Sequence, residues 1–218
     1  MLDFPQTTAP KPRFPLRFPK QKFYEHLDIP AEIRQMFVNQ IRLIYWTNVL
    51  SPVSLNIAPG EAVEEIDVLK ILLQGQELDE RVLQLIERQS PRHILFCLQR
   101  SDGLCQLYVT YKEASRSGSN AFLLKQSYHT EWMKPEDLSI NLTALDMDAL
   151  YESIVRQIAG EVIAVQGESL KEAVEQTQQR EKLEKQIAQL KAKMKKEKQL
   201  GRQMEIRREI LKLEQERV

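Results

Sequence analysis

The chain has 218 residues, with Lys plus Arg and Asp plus Glu balanced at 31 each, 10 prolines, 7 glycines and 2 cysteines. That length supports one good core with an appendage and is short for two separately cored domains. No stretch approaches the roughly 20 apolar residues of a membrane-spanning helix, and the N-terminus lacks a secretory apolar run, so a cytoplasmic protein is expected.

The balance of charge hides a segregation. Residues 1–22 carry five bases against one acid, residues 167–218 fourteen against ten, and residues 23–166 twelve against twenty. An acidic body between two basic extensions favours electrostatic steering, towards partners or between copies. The expected organisation follows: an extended basic arm (1–22), a globular domain (23–166) and a charged helical arm (167–218).

The first arm holds Pro5, Pro10, Pro12, Pro15 and Pro19, which fix φ and push each preceding residue to extended geometry, so it cannot be a helix. Phe4, Phe14 and Phe18 alternate with Lys11, Arg13, Arg17 and Lys20. Such a strip lies cheaply across a surface, either that of a partner or that of its own domain, where its phenylalanines would staple it to the core. Beyond it, Ile33, Phe37, Ile41 and Ile44, with Met36 and Tyr45, follow a helical period started by Pro30. Pro52, Pro59 and Gly60 punctuate the exit around a short strand.

VEEIDVLKILL reads as a strand through Ile66, Val68 and Ile71 or Leu72, and residues 78–89 as a helix through Leu78, Val82, Leu83 and Ile86. HILFCLQ, LCQLYVTYKE and AFLLKQSYHTEW are three strands separated by Ser101, Asp102 and Gly103 and by residues 115–120. Short polar connections between β-rich runs predict an antiparallel meander. A helix capped by Asp146 or Thr143 then buries Leu150, Ile154, Val155 and Ile158. The order predicts an α+β fold with one mostly antiparallel sheet and packed helices.

From about Gly167 the composition turns to Glu, Gln, Lys, Arg and Leu, strongly helical on propensity. Leu183, Ile187, Leu190 and Met194 form a coiled-coil seam, which Ile206, Ile210 and Leu213 repeat in another register. Glu197 and Gly201 break the first register, so the arm is either one rod with a stutter or a hairpin reversing near Lys198. The apolar seam needs cover from a second copy, its own return helix or another protein. Lys193, Lys195, Lys196, Lys198 and Arg202 are candidates for phosphate-backbone contact.

No glycine-rich phosphate loop, dinucleotide fingerprint or nucleophile elbow occurs, and no cofactor is implied. Cys97 and Cys105 sit in apolar runs without a metal or redox spacing and read as small buried hydrophobes; His26, His93 and His129 are scattered, so no metal ligands are assigned. The best catalytic candidate is a nuclease-like cluster of Glu64, Glu65 and Asp67 with Lys70, joined by Glu131, around a divalent metal. Against it, Asp67 and Lys70 lie three apart on one strand and face opposite sides, and Lys112 has no acid two residues before it.

The blocks PKQKFYEHL, IRLIYWTNVLSPVSLNIAPGEAVEEIDVLKI, HILF, YHTEWM, LYESIVRQIAG and KKEKQLGRQMEI occur in this order. Through them the whole chain resembles a bacterial and archaeal family of unknown function, and the resemblance carries over no catalytic residue. It implies encoding beside helicases and DNA methyltransferases, in islands that look like restriction or phage-defence systems. The expected function is a non-catalytic accessory or adaptor subunit that binds other proteins in such an assembly. The alternatives are the metal-dependent nuclease and a nucleic-acid-binding protein acting through the basic arm.

Overall fold

The computed structural model describes residues 2–10, 16–23, 29–114, 122–163 and 169–216. Of the positions singled out above, Lys11, Pro12, Arg13, Phe14, Pro15, His26, the connection 115–120 and Gly167 lie outside them. The chain divides into two compact units, Met1–Glu161 and Val162–Val218.

In the first unit the proline-spaced arm makes a single 3-10 turn at Gln6–Thr8 and then a short strand, β1 (Leu16–Phe18). Pro19 follows, and a second 3-10 turn, Lys20–Phe23, buries Phe23. Phe23 stacks on Phe18 and on Phe37, with ring centroids 5.1 and 6.1 Å apart. Phe18 thus staples the arm to the chain's own core.

Helix α1 (Ala31–Gln40) starts after Pro30. The apolar period predicted to carry it through Ile41, Ile44 and Tyr45 instead enters a strand, β2 (Ile41–Leu50). IRLIYWTNVL is dense in β-branched and aromatic side chains, which lose rotamer freedom in a helix and fit a pleated surface. Irregularities in its pairing between Ile41 and Leu43, and between Trp46 and Asn48, break strict alternation. Ile41 and Ile44 are therefore both buried although three apart, a spacing that imitates a helix.

The next segment forms a one-turn helix, α2 (Pro52–Leu55), closed by a reciprocal Ser51–Ser54 capping box, rather than the short strand expected there. Strand β3 (Ile66–Leu73), helix α3 (Glu80–Gln89) and strand β4 (His93–Gln99) follow, with Asp79 accepting the Arg81 amide at the N-cap of α3. Strands β5 (Cys105–Ala114) and β6 (Phe122–His129) complete the meander, and α4 (Met147–Ala159) closes the unit. Of the two caps weighed for α4, Asp146 takes the role, accepting the Ala149 amide at 2.8 Å.

The six strands lie in the order of the chain, antiparallel except for β3 and β4, which α3 joins as parallel neighbours. The sheet is thus mixed but mostly antiparallel, and the fold is α+β. One face carries Leu69, Ile71 and Leu73 of β3 and Ile94, Phe96 and Leu98 of β4, packed with Phe37 of α1 and Val82, Leu83 and Ile86 of α3. The other is covered by α4, whose Tyr151 stacks on Tyr111 of β5 and lies 4.3 Å from the ring of His93. Burying each such aliphatic or aromatic side chain contributes about 1.5–3 kcal/mol.

The connection into β3 is fixed from a distance. Asp148 near the start of α4 accepts hydrogen bonds from the backbone amides of Glu61 (2.7 Å), Ala62 (3.1 Å) and Val63 (2.8 Å). Gly60 lies so close that a Cβ there would sit 2.4 Å from Asp148 Oδ1, so no larger residue fits without displacing the carboxylate.

The second unit contains α5 (Leu170–Lys196), entered through a Ser169–Glu172 capping box, and α6 (Leu200–Glu216). A single straight helix would hold residues 187 and 210 about 35 Å apart. Instead Ile187, Ile206 and Ile210 are buried in one cluster, with Leu190, Met194 and Leu213 packed against it. Lys191 Nζ also lies 2.8 Å from Glu214 Oε1. The arm is a helical hairpin. Glu197, which breaks the first seam, sits at the reversal, where its carboxylate accepts the Lys198 and Gln199 amides and its carbonyl accepts from Gln203 Nε2.

Candidate functional site

Asp67, singled out from the sequence, lines a cavity of about 340 Å³. Phe18, Phe23, Trp46, Leu69, Ile86, Pro91 and Ile94 supply apolar walls, and Asp67, Gln89, Ser90 and Arg92 supply the polar groups. The proline-rich arm delivers Phe18 and Phe23, β2 delivers Trp46, and the turn from α3 into β4 delivers Arg92. Trp46 Nε1 donates to Asp67 Oδ1 at 3.1 Å, and Arg92 Nη1 stands 3.5 Å from the same oxygen. Arg92 also pairs with Glu65 at 3.0 Å. Burial pushes the Asp67 carboxyl above its usual range, opposed by the charge of Arg92 and the hydrogen bond from Trp46. An apolar cavity of this size with a few convergent polar groups is the form of a small-molecule site.

Behind this cavity lies a buried ionic core. Lys112 of β5 and Glu87 of α3 form an ion pair with both side chains fully buried. Lys112 Nζ donates to the Arg92 carbonyl at 2.8 Å and lies 5.3 Å from the ring centre of Phe122. The pair therefore pins the backbone of the turn that carries Arg92 into the cavity. Burial drives the Glu87 carboxyl up to about 7, outweighing the attraction of Lys112. Burial, with Lys112 nearby, lowers His93 to about 4, so the imidazole is neutral at physiological pH. The Tyr151 hydroxyl accepts the Lys112 amide at 3.1 Å and donates to the Thr110 carbonyl at 2.8 Å. Pairing of β5 with β4 ends at Val109, and this hydroxyl supplies the partners the ladder no longer provides.

The other candidates are dispersed. Glu64 and Glu131 are exposed, while Glu65 and Asp67 share Arg92. Lys70 pairs with Cys97 on the neighbouring strand, at the parity opposite to Asp67. Among the described residues no three His, Cys, Asp or Glu side chains gather in a way that could hold a metal ion. Cys97 is half-buried and Cys105 buried, both as free thiols. His93 is buried in the ionic core, whereas His129 meets Gln106 Nε2 at 3.2 Å.

In the arm, the seam residues Ile187, Leu190, Met194, Ile206, Ile210 and Leu213 meet one another across the hairpin, and Leu183 is half-buried. Lys193, Lys195, Lys196, Lys198 and Arg202 are all exposed around the reversal. Sequence reasoning missed Trp46, Arg92, Glu87 and Asp148. Glu87 carried a signal, since it stands four residues after Leu83 on the apolar stripe of α3; for Arg92 the sequence offers none.

The geometry defines an α+β body with an aromatic-walled cavity, and a basic helical hairpin. Residues 2–216 match the model of the family described as Domain of unknown function (DUF4391), and the chain belongs to that family. No curated protein and no solved structure matches it. No helix among the described residues is long and apolar enough to cross a membrane.

Proposed function

We propose that the chain is a non-catalytic accessory subunit that docks through its helical hairpin onto a larger protein. The supporting observation is a second apolar stripe on α6, opposite the seam. Leu200, Met204 and Leu211 are 72%, 54% and 52% exposed and fall within a narrow arc of the helix, and Arg207 and Arg208 flank it. The covered seam, buried between α5 and α6, holds the two helices together and lets α6 present this stripe. Its chemistry fits a protein surface with an apolar strip rimmed by carboxylates. With the family's resemblance in view, the partner is a DNA helicase or methyltransferase of a restriction or phage-defence assembly in the cytoplasm.

The test is co-expression with the helicase and the methyltransferase of the native host's restriction locus, followed by size-exclusion chromatography. Wild type is expected to co-elute with one of them, and the triple variant Leu200→Glu, Met204→Glu, Leu211→Glu to elute alone with unchanged circular dichroism. Co-elution that survives the triple variant, or its complete absence, refutes the docking role of α6. A homodimer that the variant converts to monomer would identify a second copy as the occupant instead.

A second reading, direct contact with nucleic acid, is favoured by the exposure of Lys193, Lys195, Lys196, Lys198 and Arg202 around one reversal. It predicts affinity for mixed-sequence DNA that falls steeply between 50 and about 200 mM salt, and a slope that shrinks by ~1 for each lysine replaced. Salt-independent binding, or none at low salt, removes it.

A further inference from the structure

We propose that the cavity at Asp67 binds a planar heteroaromatic ring whose edge carries a ring N–H beside a carbonyl, as in guanine or uracil. The volume, about 340 Å³, accommodates a purine or pyrimidine base within the range of small-molecule sites. Phe18, Phe23 and Trp46 supply aromatic walls for a flat ring. The polar groups form an ordered pair rather than a uniform charge. The Asp67 carboxylate accepts, and the Arg92 guanidinium 3.5 Å away donates. Trp46 Nε1 takes Oδ1 of Asp67. Among the described residues Oδ2 has no hydrogen-bond partner.

A lactam edge offers the complement: its ring N–H donates to the carboxylate while its neighbouring oxygen accepts from the guanidinium. Held in the same orientation, adenine and cytosine, which lack a ring N–H at that edge, bring a ring-nitrogen lone pair against the carboxylate. The carboxylates of Asp67 and Glu65 disfavour a phosphate here, and Arg92 disfavours a simple cation. The ring reaches the site either as a free nucleoside or as a base presented by a single strand. The inference does not depend on the docking role of α6.

The chain contains two tryptophans, Trp46 and Trp132, so a full-length Trp132→Phe protein leaves Trp46 as a reporter in the cavity wall. It is titrated with guanosine, uridine, adenosine and cytidine, and with a mixed-sequence single-stranded oligonucleotide. Saturable quenching by guanosine and uridine, at least tenfold tighter than by adenosine and cytidine, supports the free-base form. Quenching by the oligonucleotide alone, weakened at least tenfold by Asp67→Asn, supports the strand-presented form.

Asp67→Asn carries the sharper readout. Trp46 holds the amide oxygen and leaves the amide N–H₂ towards the ligand, so guanosine binding is expected to drop at least tenfold while cytidine gains on it. A structural role alone would weaken all four nucleosides alike, and that result overturns the proposal. So does a silent Trp46 with every ligand, or oligonucleotide binding that Asp67→Asn leaves unchanged. If Asp67→Asn does not fold, Arg92→Gln substitutes for it. It is expected to weaken guanosine and uridine at least tenfold, and unchanged affinity overturns the proposal.

Discussion

Lys112 and Glu87 sit where a charge is costly, and each is tolerable because of the other. Removing one partner from a buried pair leaves the other uncompensated, at a cost of about 3–5 kcal/mol, whereas replacing both by apolar side chains of similar volume is often close to neutral. Lys112→Met is therefore expected to lower unfolding free energy by about 3 kcal/mol or more in urea, and Lys112→Met with Glu87→Leu to recover much of the loss. The recovery stays incomplete because the Arg92 carbonyl has lost its donor. A double variant that loses the sum of the two single losses would show that the pair is not coupled.

The same core sets two opposed pH dependences. Glu87 is raised from 4.5 to about 7 on folding, so its contribution is full below about pH 4.5 and is lost as pH rises through 7. His93 is lowered from 6.5 to about 4, so its contribution is full above about pH 6.5 and is lost as pH falls through 4. In the wild type these slopes largely offset each other between pH 4.5 and 6.5. Glu87→Gln should unmask stability that climbs with pH across that window, and His93→Gln stability that declines. Parallel profiles for both variants and the wild type would disprove the assignment. The burial of Lys112 was not legible in the sequence, because it depends on which helix crosses β5, a fact of tertiary packing and not of spacing.

At the scale of elements, the connection into β3 owes its shape to Asp148 rather than to its own residues. Asp148→Ala strands three backbone amides around a lost carboxylate and is expected to cost about 2–3 kcal/mol in thermal or urea unfolding. A change within 0.5 kcal/mol, about the scatter of ordinary surface substitutions, would mean that water replaces it fully. In the hairpin, Ile187→Ala or Ile206→Ala removes a cluster member and should cost about 2 kcal/mol locally, read as faster amide exchange across 200–216 with the first unit unaffected. Unchanged exchange would argue against the hairpin packing. The long periodic elements were legible from sequence: β3, α3, the β4–β5–β6 meander and α4 appear where alternation and caps predict them. The end of α1 was not, because irregular pairing in β2 spaces Ile41 and Ile44 as a helix would. The cavity was legible only through Asp67, since its walls come from four segments that pairing alone brings together.

At the scale of the molecule, the arrangement joins an acidic-bodied sheet to a basic hairpin, and the two proposed activities fall in different units. The triple glutamate variant of α6 should therefore leave the Trp46 titration intact, and Asp67→Asn should leave partner co-elution intact. The strand order of the sheet has a consequence for biosynthesis. Each strand pairs with its predecessor in the chain, so the sheet can be laid down one strand at a time as the polypeptide leaves the ribosome, without waiting for distant partners. The last piece of that body to emerge is α4, and until residue 159 has been made the sheet face that it shields stands open to water. A nascent chain stalled in that interval is the form of this protein most prone to aggregate, and most in need of a chaperone.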